Sequence, residues 1–264
     1  MGIGKRSIGK FEIKKELVME NKDFIFGTRA VIEAINNSRT IEKILIKKGL
    51  SNELFQQLQP LIKEYNIPVQ LVPIEKINRI TRKNHQGVLA FVSPIEYTNI
   101  EVLVPGLFES GKDPLILVLD QITDVRNFGA IARSAECGGV DAIIIPEKGM
   151  ARIGADAVKT SAGALHYVPV CKVKSLLKSI QFLAESGIRI FAATEKGDKL
   201  YTETNFQTPA AIIMGSEEDG ISQTILELAH EKVKIPILGN IESLNVSVSA
   251  ALMIYEVVRQ RHHS

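Results

Sequence analysis

Ile235-Pro-Ile-Leu-Gly-Asn-Ile-Glu-Ser-Leu-Asn-Val-Ser-Val-Ser-Ala-Ala-Leu252 decides how the chain is read. A strand ending over Lys232 to Ile237 runs into a glycine turn, and the turn into a long helix. The first half of that helix carries Val, Ser, Ala and Leu on almost every face. A helix apolar or small all round is a buried one, and Ser247, Ser249, Ala250 and Ala251 let another backbone approach closely. Ser243 and Asn245 stand at its mouth, where the first N–H groups have no partner inside the helix. Taken alone, the stretch fits a capped core helix as well as it fits a site.

The bulk numbers bound the answer. At 264 residues, 45% hydrophobic and 23% charged, the chain has room for one large domain or two small ones. No apolar run reaches the length of a membrane span, and the basic start Met1-Gly-Ile-Gly-Lys-Arg lacks the apolar segment of a secretory signal. Cys137 and Cys171 lie far apart and read as reduced core thiols of a cytosolic protein. The five histidines form no ligand pattern, so no metal site is expected. A net charge of +2 permits a nucleic-acid partner without arguing for one.

Residues 1–22 carry Lys5, Arg6, Lys10, Lys14 and Lys15 among scattered Glu, with weak periodicity, and fit a flexible basic arm, either a solvated tail or a contact for RNA phosphates. Order begins at Phe24-Ile-Phe-Gly-Thr, with Thr28 as a helix cap. A helix follows with Val31, Ala34 and Ile35 on one face, then a strand over 41–46. Next comes a helical pattern from Leu54 to Tyr65 that Pro60 should kink or split. A strand over 68–72, a short helix over 74–80 and a strand over 87–92 complete a small α/β/α domain, residues 23–95. Its polar loop Arg79, Arg82, Lys83, Asn84, His85, Gln86 fits RNA-backbone contacts or a solvated turn. Residues 96–112 read as a linker with a short helix near 102–108.

Residues 113–264 open with Pro114-Leu-Ile-Leu-Val-Leu-Asp120, a strand buried on both faces of a parallel sheet. Further strands are expected at 142–145, 167–170, 188–193, 211–214 and 232–237, with helical patterns such as 176–184 and 221–229 between them. Ligands of such a sheet bind beyond the carboxyl ends of the strands. Three polar stretches lie there: Asp120-Gln-Ile-Thr-Asp-Val-Arg-Asn-Phe-Gly-Ala-Ile-Ala-Arg-Ser-Ala135, Ala211-Ile-Ile-Met-Gly-Ser-Glu-Glu-Asp-Gly-Ile-Ser222, and the opening stretch. Asn127 can cap its helix or hold a ribose or phosphate oxygen. Arg133, among small residues, fits a buried pair with a carboxylate such as Glu217 or a guanidinium aimed at phosphate. The acidic turn Gly215–Gly220 lacks the Lys and Ser/Thr of a P-loop. It suits a ribose hydroxyl, sulfonium or amino group better than a triphosphate.

In this order the three stretches resemble the motifs of the SpoU (TrmH) family of RNA ribose 2′-O-methyltransferases, in the SPOUT superfamily, over roughly the last 150 residues. The resemblance implies a parallel-sheet domain with a C-terminal trefoil knot that forms an S-adenosylmethionine pocket. It implies catalytic roles for Asn127, Arg133, Glu217, Ser243 and Asn245, and an adenosine pocket lined by Gly215, Ile235 and Leu244. Phe26-Gly-Thr-Arg-Ala-Val and His85-Gln-Gly-Val are similar to the subgroup with an N-terminal, ribosomal-protein-like RNA-binding domain. That subgroup methylates a guanosine of 23S rRNA; a tRNA ribose methyltransferase is the nearest alternative, and a non-catalytic ribosome-assembly factor another. RNA contacts then fall to Arg79, Arg82, Lys83 and His85. Arg126 joins them, in Asp124-Val-Arg-Asn127, where the family often has Asp-Pro-x-Asn. The family also implies a cytoplasmic homodimer whose partner completes the site, packed through the helices beginning at Asn127 and after Asn245.

Overall fold

The structure is a computed structural model that describes residues 24–262; the basic arm expected over 1–22 lies outside the described residues. The chain opens with β1 (Phe24–Phe26), α1 (Thr28–Asn36), β2 (Ile41–Lys47), α2 (Glu53–Glu64), β3 (Val69–Val72), α3 (Ile74–Ile80) and β4 (Val88–Val92). These form a four-stranded sheet in the order β1-β4-β2-β3. Val31 and Ile35 of α1 and Leu58 of α2 pack on one face, Ile77 of α3 on the other. The short run Phe24-Ile-Phe was not expected to be a strand. It pairs antiparallel with β4, Phe24 opposite Phe91 and Phe26 opposite Leu89. Three residues carry no readable period; only the partner strand makes them β.

Pro60 does not break α2, which runs unbroken from Glu53 to Glu64. The carbonyl it deprives of a donor belongs to Gln56, on the exposed side, where water replaces the lost N–H.

The rest of the chain supplies α4 (Ile100–Glu109), β5 (Leu115–Leu119), α5 (Val125–Cys137), β6 (Ala142–Pro146), α6 (Ala155–Thr160), β7 (Val170–Val173), α7 (Leu176–Glu185), β8 (Arg189–Ala193), β9 (Lys199–Leu200), β10 (Ala210–Met214), α8 (Gln223–Leu226), β11 (Glu231–Lys234) and α9 (Val246–His262). Seven strands lie in the order β7-β6-β5-β10-β8-β11-β9, and every pairing is parallel. β5 is buried throughout. Its Leu115, Leu117 and Leu119 face α5 and α9, while Ile116 and Val118 face α4 and α7. This is the two-sided burial its apolar run predicts.

Several boundaries move. The strand expected at 167–170 is Val170–Val173, because Ala164–His166 form a 3-10 turn after Gly163 at φ +88°, leaving Tyr167 78% exposed. β11 stops before Pro236, which has no N–H for the ladder. The helix expected over 221–229 shrinks to α8. The expected linker is not loose: Ile95 is buried, α4 places Ile100 and Val104 in the core, and Tyr97 bridges Val170.

α9 is not buried on every face either. Val246, Ala250, Met253, Ile254 and Val257 enter the core, but Val248, Leu252 and Tyr255 form an exposed apolar stripe. Within one chain the helix packs on α5 and β10, and nothing described covers its third side. Its C-terminal end is fastened by Arg261, which donates to the carbonyls of Asp113 (2.6 Å), Thr208 (2.7 Å) and Phe206 (3.0 Å). α5 closes on α9 at Gly138, where a Cβ would come within 2.2 Å of Ile254 Cγ2.

Candidate active site

Because all seven strands run the same way, the loops after β5, β8, β10 and β11 gather at one edge of the sheet. Asp120, at the end of β5, is buried; its Oδ2 accepts from Ser222 N–H (2.9 Å), which ties the β5 and β10 loops together. Asp124, not Asn127, caps α5: its Oδ1 accepts from Arg126 N–H (2.7 Å) and Asn127 N–H (3.0 Å). Those donors hold the Asp124 carboxyl below the usual carboxylate range. The cap leaves the Asn127 side chain available elsewhere.

After β10 the chain turns back on itself. Ser216 and Gly220 exchange backbone hydrogen bonds, each 3.1 Å. Gly215 has no room for a side chain, since a Cβ there would lie 2.1 Å from the Gly220 carbonyl carbon. The turn lifts Glu217 toward the start of α9. There Asn245 caps the helix, its Oδ1 accepting from Ser247 N–H (3.0 Å). Asn245 Nδ2 donates to Asn127 Oδ1 (3.1 Å) and to Glu217 Oε1, which also accepts from Val246 N–H (3.3 Å). Asn127 from the first turn of α5, Glu217 from the turn after β10 and Asn245 from the mouth of α9 therefore form one hydrogen-bonded cluster.

Beside the cluster lies a cavity of about 370 Å³, within the roughly 300–1,000 Å³ of small-molecule and cofactor sites. Gly215, Ile235, Leu244, Ser243 and Glu217 line it. Its rim is acidic: Glu195, Glu217, Glu218, Asp219 and Glu242 face a single cation, Lys196. Such a rim attracts a sulfonium or ammonium and repels phosphate. The loop of Glu195 and Lys196 was missed in the sequence. Its signal was there, a polar turn after the buried strand β8, on the same edge as the other three.

The remaining expected residues stand apart. Arg133 is exposed and pairs with no carboxylate among the described residues, so the buried pair with Glu217 does not form. It shares a face of α5 with the exposed Arg126, two turns earlier. Arg79, Arg82 and Lys83 are exposed at the far domain, close to β1: Lys83 Nζ lies 6.0 Å from the Phe26 ring centroid. His85 is buried and fully used. Its Nδ1 accepts from Gly87 N–H (3.0 Å), so the proton sits on Nε2 and goes to Asn78 Oδ1 (2.8 Å). Its geometry shapes the loop and leaves no ring nitrogen for a ligand. Cys171 is buried and its thiol is pushed up to about 11 by burial, whereas Cys137 is exposed, not the core thiol expected.

Comparison with known proteins identifies the family of the chain. Residues 114–255 match the model of the SpoU rRNA Methylase family, and residues 24–98 match that of RNA 2′-O ribose methyltransferase substrate binding. A Staphylococcus haemolyticus protein named as a TrmH-family tRNA/rRNA methyltransferase is 35% identical over 238 residues, 90% of this chain and 96% of that one. Among solved structures, the SpoU methyltransferase AviRb from Streptomyces viridochromogenes, in complex with AdoMet, aligns over 91% of both chains with a TM-score of 0.59. At 22% identity it shows the fold alone. A TrmH/SpoU tRNA modifying enzyme of A. aeolicus is 28% identical, covering 62% of this chain and 84% of that one, with a TM-score of 0.53. The chain belongs to the SpoU rRNA Methylase family of RNA methyltransferases.

Proposed function

We propose that the chain transfers the methyl group of S-adenosylmethionine to a ribose 2′-hydroxyl of RNA, and that its target is a guanosine of 23S rRNA. The observation that carries the reading is the Asn127–Glu217–Asn245 cluster at the lip of an acidic cavity. S-adenosylmethionine supplies an electrophilic methyl on a sulfonium, which the acidic rim suits. Gly215, Ile235 and Leu244 hold the adenosine largely through backbone groups, and the described loops around them are where the expected trefoil knot would close.

The chain's own task is to hold the 2′-oxygen in line with the methyl and to take its proton. Asn127, Asn245 and Ser243 orient the ribose. Glu217 commits Oε1 to Asn245 and Val246, and its other oxygen has no described partner, so it is available to the departing proton. Arg133 remains a guanidinium and is no base; it binds phosphate and stabilises the developing alkoxide. It stands six residues, about 9 Å of helix axis, beyond Asn127. That separation supports a homodimer in which a second copy completes the site, packed through the Val248–Leu252–Tyr255 stripe and the exposed side of α5. Arg79, Arg82 and Lys83, with Arg126, engage the RNA backbone.

The name of the staphylococcal relative covers tRNA as well as rRNA, so tRNA is the second substrate to test. Labelled S-adenosylmethionine is incubated with rRNA and tRNA from cells lacking the gene, with Arg133→Ala in parallel. Label at one guanosine of 23S rRNA, lost in the variant, is the expected result. Label in tRNA overturns the substrate and keeps the reaction. Absence of label together with absence of cofactor binding overturns both, in favour of a non-catalytic RNA-binding factor.

A further inference from the structure

The junction between the two domains is built from charged and aromatic groups. Glu42 of β2, its side chain 12% exposed, receives two donors: the hydroxyl of Tyr97, at the end of the small domain, and the Lys172 ammonium of β7 in the other domain. Lys172 Nζ also lies 4.9 Å from the Tyr97 ring centroid. Tyr97 is itself fixed to the catalytic sheet, bridged to Val170, with Thr98 N–H donating to the Val170 carbonyl (2.9 Å). Burial, then the neighbouring Glu42 carboxylate, push its phenol far above its ordinary range, so it stays a donor.

A second contact stands beside the first. The Arg152 guanidinium lies 4.3 Å from the centroid of Phe91 on β4, and Lys43 Nζ lies 5.6 Å from the same ring. Arg152 follows Ala151, whose N–H donates to the Ile122 carbonyl (2.8 Å). Ile122 sits in the loop that delivers Asp124 and Asn127. A continuous path thus leads from the small sheet to the edge of the active site.

Domains joined through a polar surface are expected to move relative to one another. A partly buried ion pair adds little net stability over apolar packing, but separating it leaves desolvated charge, and its best-attested use is to fix register. We propose that Glu42, Tyr97, Lys172 and Arg152 form a domain latch: positioning residues that fix the reach from the basic loop of the small domain to the Asn127 loop. They thereby select which nucleotide of a bound RNA enters the site. The selection of a nucleotide rests on the methyl-transfer reading above; the latch itself does not.

The test has two arms, both on the full chain. In the first, nitroxides on Lys178→Cys and Glu64→Cys, in a chain that also carries Cys137→Ser, report the interdomain distance by pulsed electron resonance. A narrow distribution is expected for the native latch and a broad one for Glu42→Ala/Lys172→Ala. A distribution broad from the start, or still narrow in the double variant, overturns the latch. In the second arm, methylated nucleotides are mapped in total rRNA and tRNA. The double variant should raise the KM for RNA about tenfold, spread label to other nucleotides, and leave S-adenosylmethionine affinity unchanged. Glu42→Gln, which keeps an acceptor for Tyr97, should restore most of the selectivity. An unchanged KM with a single methylated nucleotide overturns the positioning role. If the native chain methylates no RNA, the methyl-transfer reading fails with the nucleotide selection that rests on it, and the distance arm alone decides the latch.

Discussion

At the carboxyl edge of the parallel sheet, Asn127 and Asn245 meet across 118 residues of sequence and close with Glu217 into one hydrogen-bonded group. At the far end of the small sheet, Arg79, Arg82 and Lys83 come from one short stretch, 79–83, and stand exposed. The first arrangement fixes atoms; the second only places charge. Transfer of a group in line requires a fixed geometry, whereas attraction of a phosphate backbone requires positive charge and little else. His85 shows the boundary between the two modes: in a basic loop, it is the one member with both ring nitrogens committed inside the fold.

Loss of a fixed group should cost most. Glu217→Ala and Asn245→Ala each break the cluster and are expected to lower kcat by about 100- to 1,000-fold, the scale of removing one preorganised polar group. A circular dichroism spectrum should confirm that each variant still folds. A loss no larger than that of Lys83→Ala would erase the contrast.

Next comes the turn that lifts Glu217. Gly215→Ala places a methyl against the Gly220 carbonyl, and relieving such overpacking costs about 1–3 kcal/mol. Titration calorimetry should show S-adenosylmethionine bound about tenfold more weakly; unchanged affinity would mean that the turn does not shape the cavity.

The basic loop should respond by degrees. Arg82→Ala/Lys83→Ala is expected to weaken RNA binding severalfold and to reduce the slope of log K against log salt by about 0.7–0.9 for each phosphate left without its cation, with cofactor affinity intact. His85→Ala should leave that slope alone and lower the melting temperature by a few degrees, because it strands the buried Gly87 N–H. A changed salt slope in His85→Ala would mean that its ring meets RNA after all.

The smallest effect is electrostatic. Asp124 has a folded-state pKa below its unfolded value, so its stabilisation of α5 is present above the unfolded pKa and fades as pH falls through the folded one. Melting of the native chain and of Asp124→Ala should differ at neutral pH, and the difference should shrink only as the pH falls from about 4 through the lower folded value. A difference that persists in acid would assign the cap another cause.

The fold was legible wherever burial acts on both sides of an element. Leu115–Leu119 announced a central parallel strand, and β6, β8 and β10 were found to within a residue or two. Phe24–Phe26 was not, since its pairing with β4 is a tertiary fact. The exposed stripe on α9 was hidden for the opposite reason: composition reports that a face is apolar, not whether the same chain covers it. At the site, the motifs named Asn127, Glu217 and Asn245, but not that Asp124 would take the cap and free Asn127. The junction of Glu42 with Lys172, 130 residues away, has no local signature at all.

Everything assigned to the hydrogen-bonded cluster depends on the methyl going to ribose oxygen and not to a base. Alkaline hydrolysis of RNA labelled by the native chain tests this directly, because cleavage at a phosphodiester needs the free 2′-hydroxyl beside it. Label is expected in alkali-resistant dinucleotides, and it should be absent when Glu217→Ala replaces the native chain. Label released as mononucleotides would place the methyl on a base and contradict the role given to Asn127, Glu217 and Asn245.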